Sequence, residues 1–247
     1  MSRPDEIILE AEVKPLGQTT PRKSKKAKKQ RRQLQVTEPI HTHEELNTDQ
    51  PVILPLQLLE EQLLMTSPIR ILVCSIGNPA PYTNTLHSAG HTVLSVLATS
   101  LAYPSFQRDR SYGNGVVAQG SDLTLWQSKS LMNVSGAGVS AAWRQFQRES
   151  RGEATKLVVV HDELELPVGE VKVRDGGASA KGHNGLKDIA KCLPGQKYKR
   201  IGVGIGRPES REPSVVAGYV LRRMSPAERA KIEGAWSKVE AELRKMQ

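Results

Sequence analysis

The chain has 247 residues, 38% apolar and 25% charged, with a formal net charge of +9. That gives room for one ample domain with a tail, or two small ones, and enough apolar side chain to bury a real core. Two cysteines, Cys74 and Cys192, exclude a disulfide framework, no C-x-x-C pair offers a zinc site, and no apolar run reaches the ~18 residues of a membrane span.

The opening residues carry Asp5, Glu6, Glu10 and Glu12, which fits neither a secretory signal nor an Arg-rich transit peptide. Residues 1–66 balance their charges despite the basic run from Arg22 to Arg32, so the positive excess falls on residues 67–247. A basic domain favours an anionic partner, nucleic acid first, although a solvated basic surface without a specific partner has the same composition. Residues 1–50 have few large apolar positions and no period, and read as disordered. Their basic run suits an RNA-touching arm or a solubilising stretch better than a nuclear localisation signal. A short amphipathic helix is expected near residues 55–65, closing an N-terminal extension over 1–66.

From Ile69 the pattern changes. Ile69–Ile76 is a mainly apolar run ending in Gly77-Asn78-Pro79, a buried strand breaking into a loop. Residues 88–101 place Ala89, Val93, Leu94, Leu97 and Leu101 at broadly helical spacing. Val116–Ala118 and Leu123–Trp126 flank Gly120-Ser121-Asp122, a hairpin turn. Ser135 is placed to cap a helix that buries Val139, Ala142, Trp143 and Phe146. Leu157–Val160 is a second buried strand, followed by His161-Asp162-Glu163. Glu170–Val173 and Ile201–Ile205 are further strands, with a short helix over Leu186–Cys192 between them. Ser225-Pro226-Ala227-Glu228 is a capping box with proline at the first helical position, opening a final helix that presents Ile232, Trp236, Val239 and Leu243. Strands alternating with helices predict one α/β domain over 67–247, with a mixed, mostly parallel sheet and helices on both faces. Ligands of such sheets bind beyond the carboxyl ends of the strands, where Asn78 and His161-Asp162 collect.

Several chemistries are missing. No G-x-G-x-x-G follows a strand, and there is no phosphate-binding G-x-x-x-x-G-K-[ST], no G-x-S-x-G and no H-E-x-x-H. His161-Asp162-Glu163 matches half of a zinc-deaminase signature, without the P-C-x-x-C half. What remains is His87 and His91 near a helix entry, Asn133 at another, Asp162 after a strand, and His183-Asn184 in a glycine-flanked loop. A neutral imidazole can take a proton from water near pH 7, and a carboxylate on its other nitrogen fixes the tautomer. Asn offers both a donor and an acceptor, so it can hold a carbonyl or a water. Each residue alone also has a plainer reading: a helix cap, a turn-forming Asp, the Asn184-Gly185 turn pair. These residues by themselves support a basic α/β domain with an RNA-linked hydrolase as one possibility.

Taken together and in order, the loops resemble the bacterial-type peptidyl-tRNA hydrolase family. The matching segments are Gly77-Asn78-Pro79, Thr85–Gly90, Leu131–Gly136, His161–Pro167, Gly182–Lys187 and Val203–Pro208. The resemblance spans roughly residues 69–245. It implies cleavage of the ester joining a peptide to the terminal ribose of tRNA, without metal or cofactor, by a protein expected to be monomeric. His87 is then the general base and Asp162 its orienting carboxylate. Asn78 and Asn133 position the 3′ end or the peptide; Met132, His183 and Asn184, the last on a mobile loop, bind substrate; Tyr82 lines the same cleft. Lys172, Arg174, Lys181, Lys187, Lys199 and Arg200 face the phosphates of the tRNA.

Leu86 and Ser88 stand where the family usually has Arg and Asn, and Gly202 where an Arg is often found, which weakens one phosphate contact. The glycine loop before His183 is also longer than in many members. The competing expectation is an RNA-binding relative that has lost catalysis, such as a splicing or ribosome-associated factor; retention of the His–Asp set argues against it. A cytoplasmic or mitochondrial setting is expected from the activity, with no membrane contact.

Overall fold

The computed structural model describes residues 69–247. The expected N-terminal extension and the helix near residues 55–65 lie outside the described residues. The chain forms seven strands: β1 Arg70–Ser75, β2 Gln107–Arg108, β3 Gly115–Gln119, β4 Leu123–Ser128, β5 Thr155–Glu163, β6 Val171–Asp175 and β7 Lys199–Gly204. Six helices accompany them: α1 Ala89–Ser100, α2 Ser135–Glu149, α3 Asn184–Cys192, α4 Pro213–Leu221, α5 Pro226–Gly234 and α6 Trp236–Arg244.

One sheet runs in the order β2-β3-β4-β1-β5-β7-β6. Its centre, β4-β1-β5-β7, is parallel; β3 on one side and β6 on the other run antiparallel to it, and β2 at the edge pairs antiparallel with β3. The central strands read as apolar runs because both their faces are covered. On one face Ile71, Val73, Val158, Val160 and Ile201 pack against α1, α5 and α6; on the other Leu72, Cys74 and Val159 pack against α2 and α3. Each fully buried valine of β5 contributes about 2 kcal/mol of apolar transfer free energy.

Four boundaries differ from the sequence reading. β5 does not stop at Val160: β7 supplies ladder partners Gly202, Val203 and Gly204 for His161, Asp162 and Glu163, so Asp162 stands on a strand, not in a loop. Ser135 does not cap α2; its hydroxyl donates to the Met132 carbonyl at 2.9 Å. The Gly136 N–H in that first turn donates instead to Asp188 Oδ2 of α3, at 2.7 Å. The final helix is two, α5 and α6, broken at Ala235, although its capping box forms with both reciprocal bonds. The fourth difference is α4, which has no counterpart in the sequence reading. Among the described residues no helix is long and apolar enough to cross a membrane.

Candidate active site

His87 sits in a single 3-10 turn, Leu86–Ser88, that leads into α1. Leu86 is fully buried and pins the turn to the core. Ser88 holds it from the other side: its hydroxyl accepts from the Asn78 N–H at 3.0 Å and donates to the Tyr82 carbonyl at 2.9 Å. Both departures from the family pattern therefore have structural work here. α1 can approach the end of β5 because Gly90 has no side chain; a Cβ there would lie 2.7 Å from the Val160 carbonyl oxygen. That approach brings His87 to Asp162, 75 residues away in sequence.

His87 Nδ1 lies 2.9 and 3.0 Å from the two oxygens of Asp162, whose side chain is 2% exposed. An ionised carboxylate only accepts, so Nδ1 carries the proton and Nε2 keeps its lone pair. Burial alone would lower the His87 pKa, but the charge and hydrogen bond of Asp162 raise it above the ordinary imidazole value. For Asp162 burial likewise opposes ionisation, and the two imidazoles facing it overcome this and hold its pKa well below the usual carboxylate range.

The second imidazole is His183, whose Nε2 donates to Asp162 Oδ1 at 3.1 Å. His183 is the N-cap of α3, and its Nδ1 accepts from the Leu186 N–H at 3.3 Å. Both of its nitrogens are thus committed, one as donor and one as acceptor. His161, on the opposite face of β5, packs edge-on against His183 with ring centroids 5.2 Å apart. Its Nδ1 donates to the Asp162 carbonyl at 2.6 Å, and burial pushes its pKa down to about 3, so it is neutral near pH 7. His91 serves the core. It bonds the Ser75 hydroxyl at 2.8 Å, and burial lowers its pKa to about 4.

The ligand-type atoms of His87, Asp162 and His183 all lie within 4.8 Å of one another, the residue types a cation could use. Here they are at hydrogen-bond distances, with two N–H donors turned on one carboxylate.

A cleft of about 570 Å³ opens over this trio, beyond the carboxyl ends of β5 and β7. Met132, Asn133, His183 and Asn184 line it. The Met132–Asn133 turn is held by Asn78, whose Oδ1 accepts from the Met132 N–H at 2.8 Å. It is held also by Gly185, where a Cβ would meet Met132 Sδ at 2.7 Å. Asn78 is itself buried and supports the turn from behind. Asn184 belongs to the first turn of α3, not to a free loop.

Three expectations are corrected. Tyr82 is 41% exposed and is not among the cleft-lining residues; its carbonyl, not its ring, ties the site together. Arg200 borders the cleft but is only 2% exposed, so it presents little of its charge to solvent. Lys199, the first residue of β7, is not among the cleft-lining residues and is paired with Asp175 at 2.6 Å. Of the remaining cations, Lys181 lines the cleft, Lys172 and Lys187 are exposed outside it, and Arg174 is half-buried with Glu163 at 3.9 Å. At Gly202 a Cβ would meet Glu163 Cβ at 2.9 Å, so no side chain fits there as the sheet stands.

The sequence reading also missed a wall. Val216, Ala217, Val220 and Leu221 of α4 line the cleft, with Arg207 and Arg211 just before them. A mostly apolar stretch of nine residues opening on a proline was the available signal.

A mixed α/β sheet with a buried carboxylate steering an imidazole in a cleft at its strand ends defines a hydrolase-like α/β protein. The model of the family described as peptidyl-tRNA hydrolase matches residues 72–247. A peptidyl-tRNA hydrolase of Leptothrix cholodnii is 42% identical over 170 residues, covering 67% of this chain and 75% of that one. A probable peptidyl-tRNA hydrolase of Schizosaccharomyces pombe is 37% identical over 164 residues, covering 66% and 75%. The crystal structure of the Acinetobacter baumannii peptidyl-tRNA hydrolase superposes with a TM-score of 0.55 at 30% identity, over 69% of this chain and 84% of that one. The chain belongs to the peptidyl-tRNA hydrolase family.

Proposed function

We propose that this protein hydrolyses the ester between peptide and tRNA in peptidyl-tRNA, with His87 as general base. The observation that carries the reading is His87 Nδ1 at 2.9 Å from the buried Asp162 carboxylate, in a chain of this family. His87 Nε2 takes a proton from water as the water attacks the ester carbonyl, and Asp162 stabilises the imidazolium that forms. The side-chain amides of Asn133 and Asn184, both exposed in the cleft, donate to the developing oxyanion or hold the water. The ester C–O bond then breaks and the His87 imidazolium returns its proton to the departing ribose oxygen; this leaving group departs far more easily than an amine, so one base and a few donors suffice.

The cleft lining offers both kinds of surface such a substrate needs. Met132, Leu186 and the α4 residues Val216 and Val220 are apolar lining for the peptide; Lys181, Arg207 and Arg211 are cationic lining for the acceptor end of the tRNA. Lys172, Arg174 and Lys187 extend that cationic surface toward the tRNA backbone. The protein acts as a monomer, where ribosomes work, in cytoplasm or mitochondria. The reading as an RNA-binding relative without catalysis has no specific observation in its favour.

Release of labelled N-acetyl-aminoacyl groups from tRNA tests this. His87→Ala should abolish turnover while tRNA binding persists; wild-type-like hydrolysis by that variant refutes the assignment. Because the working base is the neutral imidazole and its pKa is raised, the acid limb of kcat/KM should have its midpoint above the ordinary histidine value. A flat profile from pH 5 to 8 removes His87 from the role.

A further inference from the structure

Arg200 belongs to a basic stretch, yet β7 carries it beneath the surface. Ile201 and Val203 enter the core on one face of the sheet, so Arg200 points from the other, beside Val159 of β5 and Arg174 of β6. Its Nη2 donates to the Ser179 carbonyl at 2.6 Å. Its Nε is shut off from solvent and has no partner among the described residues. The buried Glu163 on the same face of β5 supplies a compensating charge. A guanidinium held in this way borders the cleft, but at 2% exposure it is anchored structurally and offers a docked phosphate almost no surface.

The segment it grips is the connection from β6 to α3, residues 176–183. The start of this connection is tied to the sheet by the Gly176 N–H, which donates to the Tyr198 carbonyl at 2.8 Å. Its end is a tight turn. The His183 N–H donates to the Ala180 carbonyl at 2.9 Å, with Lys181 at φ 45° and Gly182 at φ 88°. Two successive left-handed residues closed by that bond are the geometry of a type I′ turn, which leaves little slack. Fixing the Ser179 carbonyl therefore fixes where His183 emerges. His183 then reaches Asp162 with Nε2, on the carboxylate that also holds His87.

We propose that Arg200 is a positioning residue: by gripping the Ser179 carbonyl from within the sheet face, it sets the loop so that His183 donates to Asp162 and completes the His87–Asp162–His183 arrangement. This rests on the reading of His87 and Asp162 as the working pair. It is distinct from a phosphate contact, which would act on binding, and from a general packing role, which would act on stability alone.

Two full-chain variants test it. Arg200→Met removes the grip, and a glycine inserted after Ala180 keeps the grip but adds slack between it and His183. The first readout is the imidazole nitrogen NMR spectrum of His183, assigned with His183→Asn. The wild-type chain should show one Nε2–H tautomer, and both variants should show tautomers mixing. In the hydrolysis assay both variants should lose about tenfold in kcat with KM within about twofold, since small misplacement of a catalytic group has this scale of effect. Arg200→Met combined with His183→Ala should be no slower than His183→Ala alone, and Arg200→Lys, which keeps one donor toward Ser179, should recover most of the loss.

The insertion lies in an exposed loop and decides the matter even where Arg200→Met does not fold. An unchanged His183 spectrum in the insertion variant, a raised KM with kcat intact, or losses that multiply in the double variant would each overturn the proposal. Absence of hydrolysis in the wild-type chain would instead defeat the catalytic reading, and the His183 spectra would still decide the role of Arg200.

Discussion

Two stretches of the cleft wall, which meet where the Leu86 N–H donates to the Arg222 carbonyl, are built on different principles. On one, His87 and Asp162 stand beside fully buried neighbours, Leu86, Ala89 and Val160, and hydrogen bonds fix the groups around them: Ser88 for the turn, Asn78 for the next turn, His183 for the carboxylate. On the other, α4 buries only Val220 and leaves Val215 and Leu221 exposed, while Lys181 sits at the tip of a tight turn. On the proposed mechanism the chemistry falls on the wall whose geometry the core over-determines. Recognition then falls on the wall with fewer packing constraints, where side chains can change without disturbing the sheet.

The largest way to break this contrast is at the carboxylate. Asp162→Asn keeps the size of the side chain but removes the charge, and its single carbonyl oxygen cannot accept from His87 and His183 as the carboxylate does. One of the two imidazoles must then face an N–H₂ donor, which favours the wrong tautomer. Turnover should fall about 10³-fold with KM little changed, the scale on which a tautomer-fixing carboxylate acts. The acid limb of the pH profile should move down in pH, because the charge that raises the His87 pKa is gone. A drop of less than fivefold would mean that Asp162 is only a buried structural acid.

The same contrast explains what could be read from the sequence. The first wall was legible where local pattern sufficed: Ile69–Ile76 and Leu157–Val160 are apolar runs bounded by glycine or polar residues, and both became central strands. The continuation of β5 through Asp162 was not legible, because it depends on pairing with β7, some 40 residues later. The His87–Asp162 pair came from the resemblance to a family, since no periodicity joins residues 75 apart. α4 escaped because Pro213–Leu221 is apolar nearly throughout and has no polar face to give a helical period. Arg200 was misread for want of a parity argument: a cation next to the core residues Ile201 and Val203, in a sheet covered on both faces, points into a covered face.

Along α4 the expected effects are smaller and fall on KM. Val216→Ala and Leu221→Ala together thin the apolar wall of α4 without touching the trio. For N-acetyl-phenylalanyl-tRNA the pair should raise KM about tenfold with kcat within twofold, since a few methyl groups in an apolar pocket discriminate on this scale. For N-acetyl-glycyl-tRNA, which presents no side chain, KM should stay near the wild-type value. Equal effects on both substrates would show that α4 does not meet the side chain of the peptide.

The smallest effects, and the ones that separate charge from shape, belong to Lys181 and Arg211. Both line the cleft and neither makes an ion pair among the described residues, so their charge is available to a phosphate. Arg207 differs, being paired with Glu165 at 2.8 Å. A single exposed contact to a polyanion contributes mainly through released counterions, so its loss weakens binding evenly and flattens the salt dependence. Lys181→Ala and Arg211→Ala should each raise KM about threefold at low salt and reduce the slope of log KM against log salt by roughly 0.7 to 0.9. Arg207→Ala should change that slope by less, because Glu165 already neutralises it. Should all three slopes change alike, the distinction between a free and a paired cation on this wall fails, and the tRNA path must run closer to Glu165 than the cleft geometry implies.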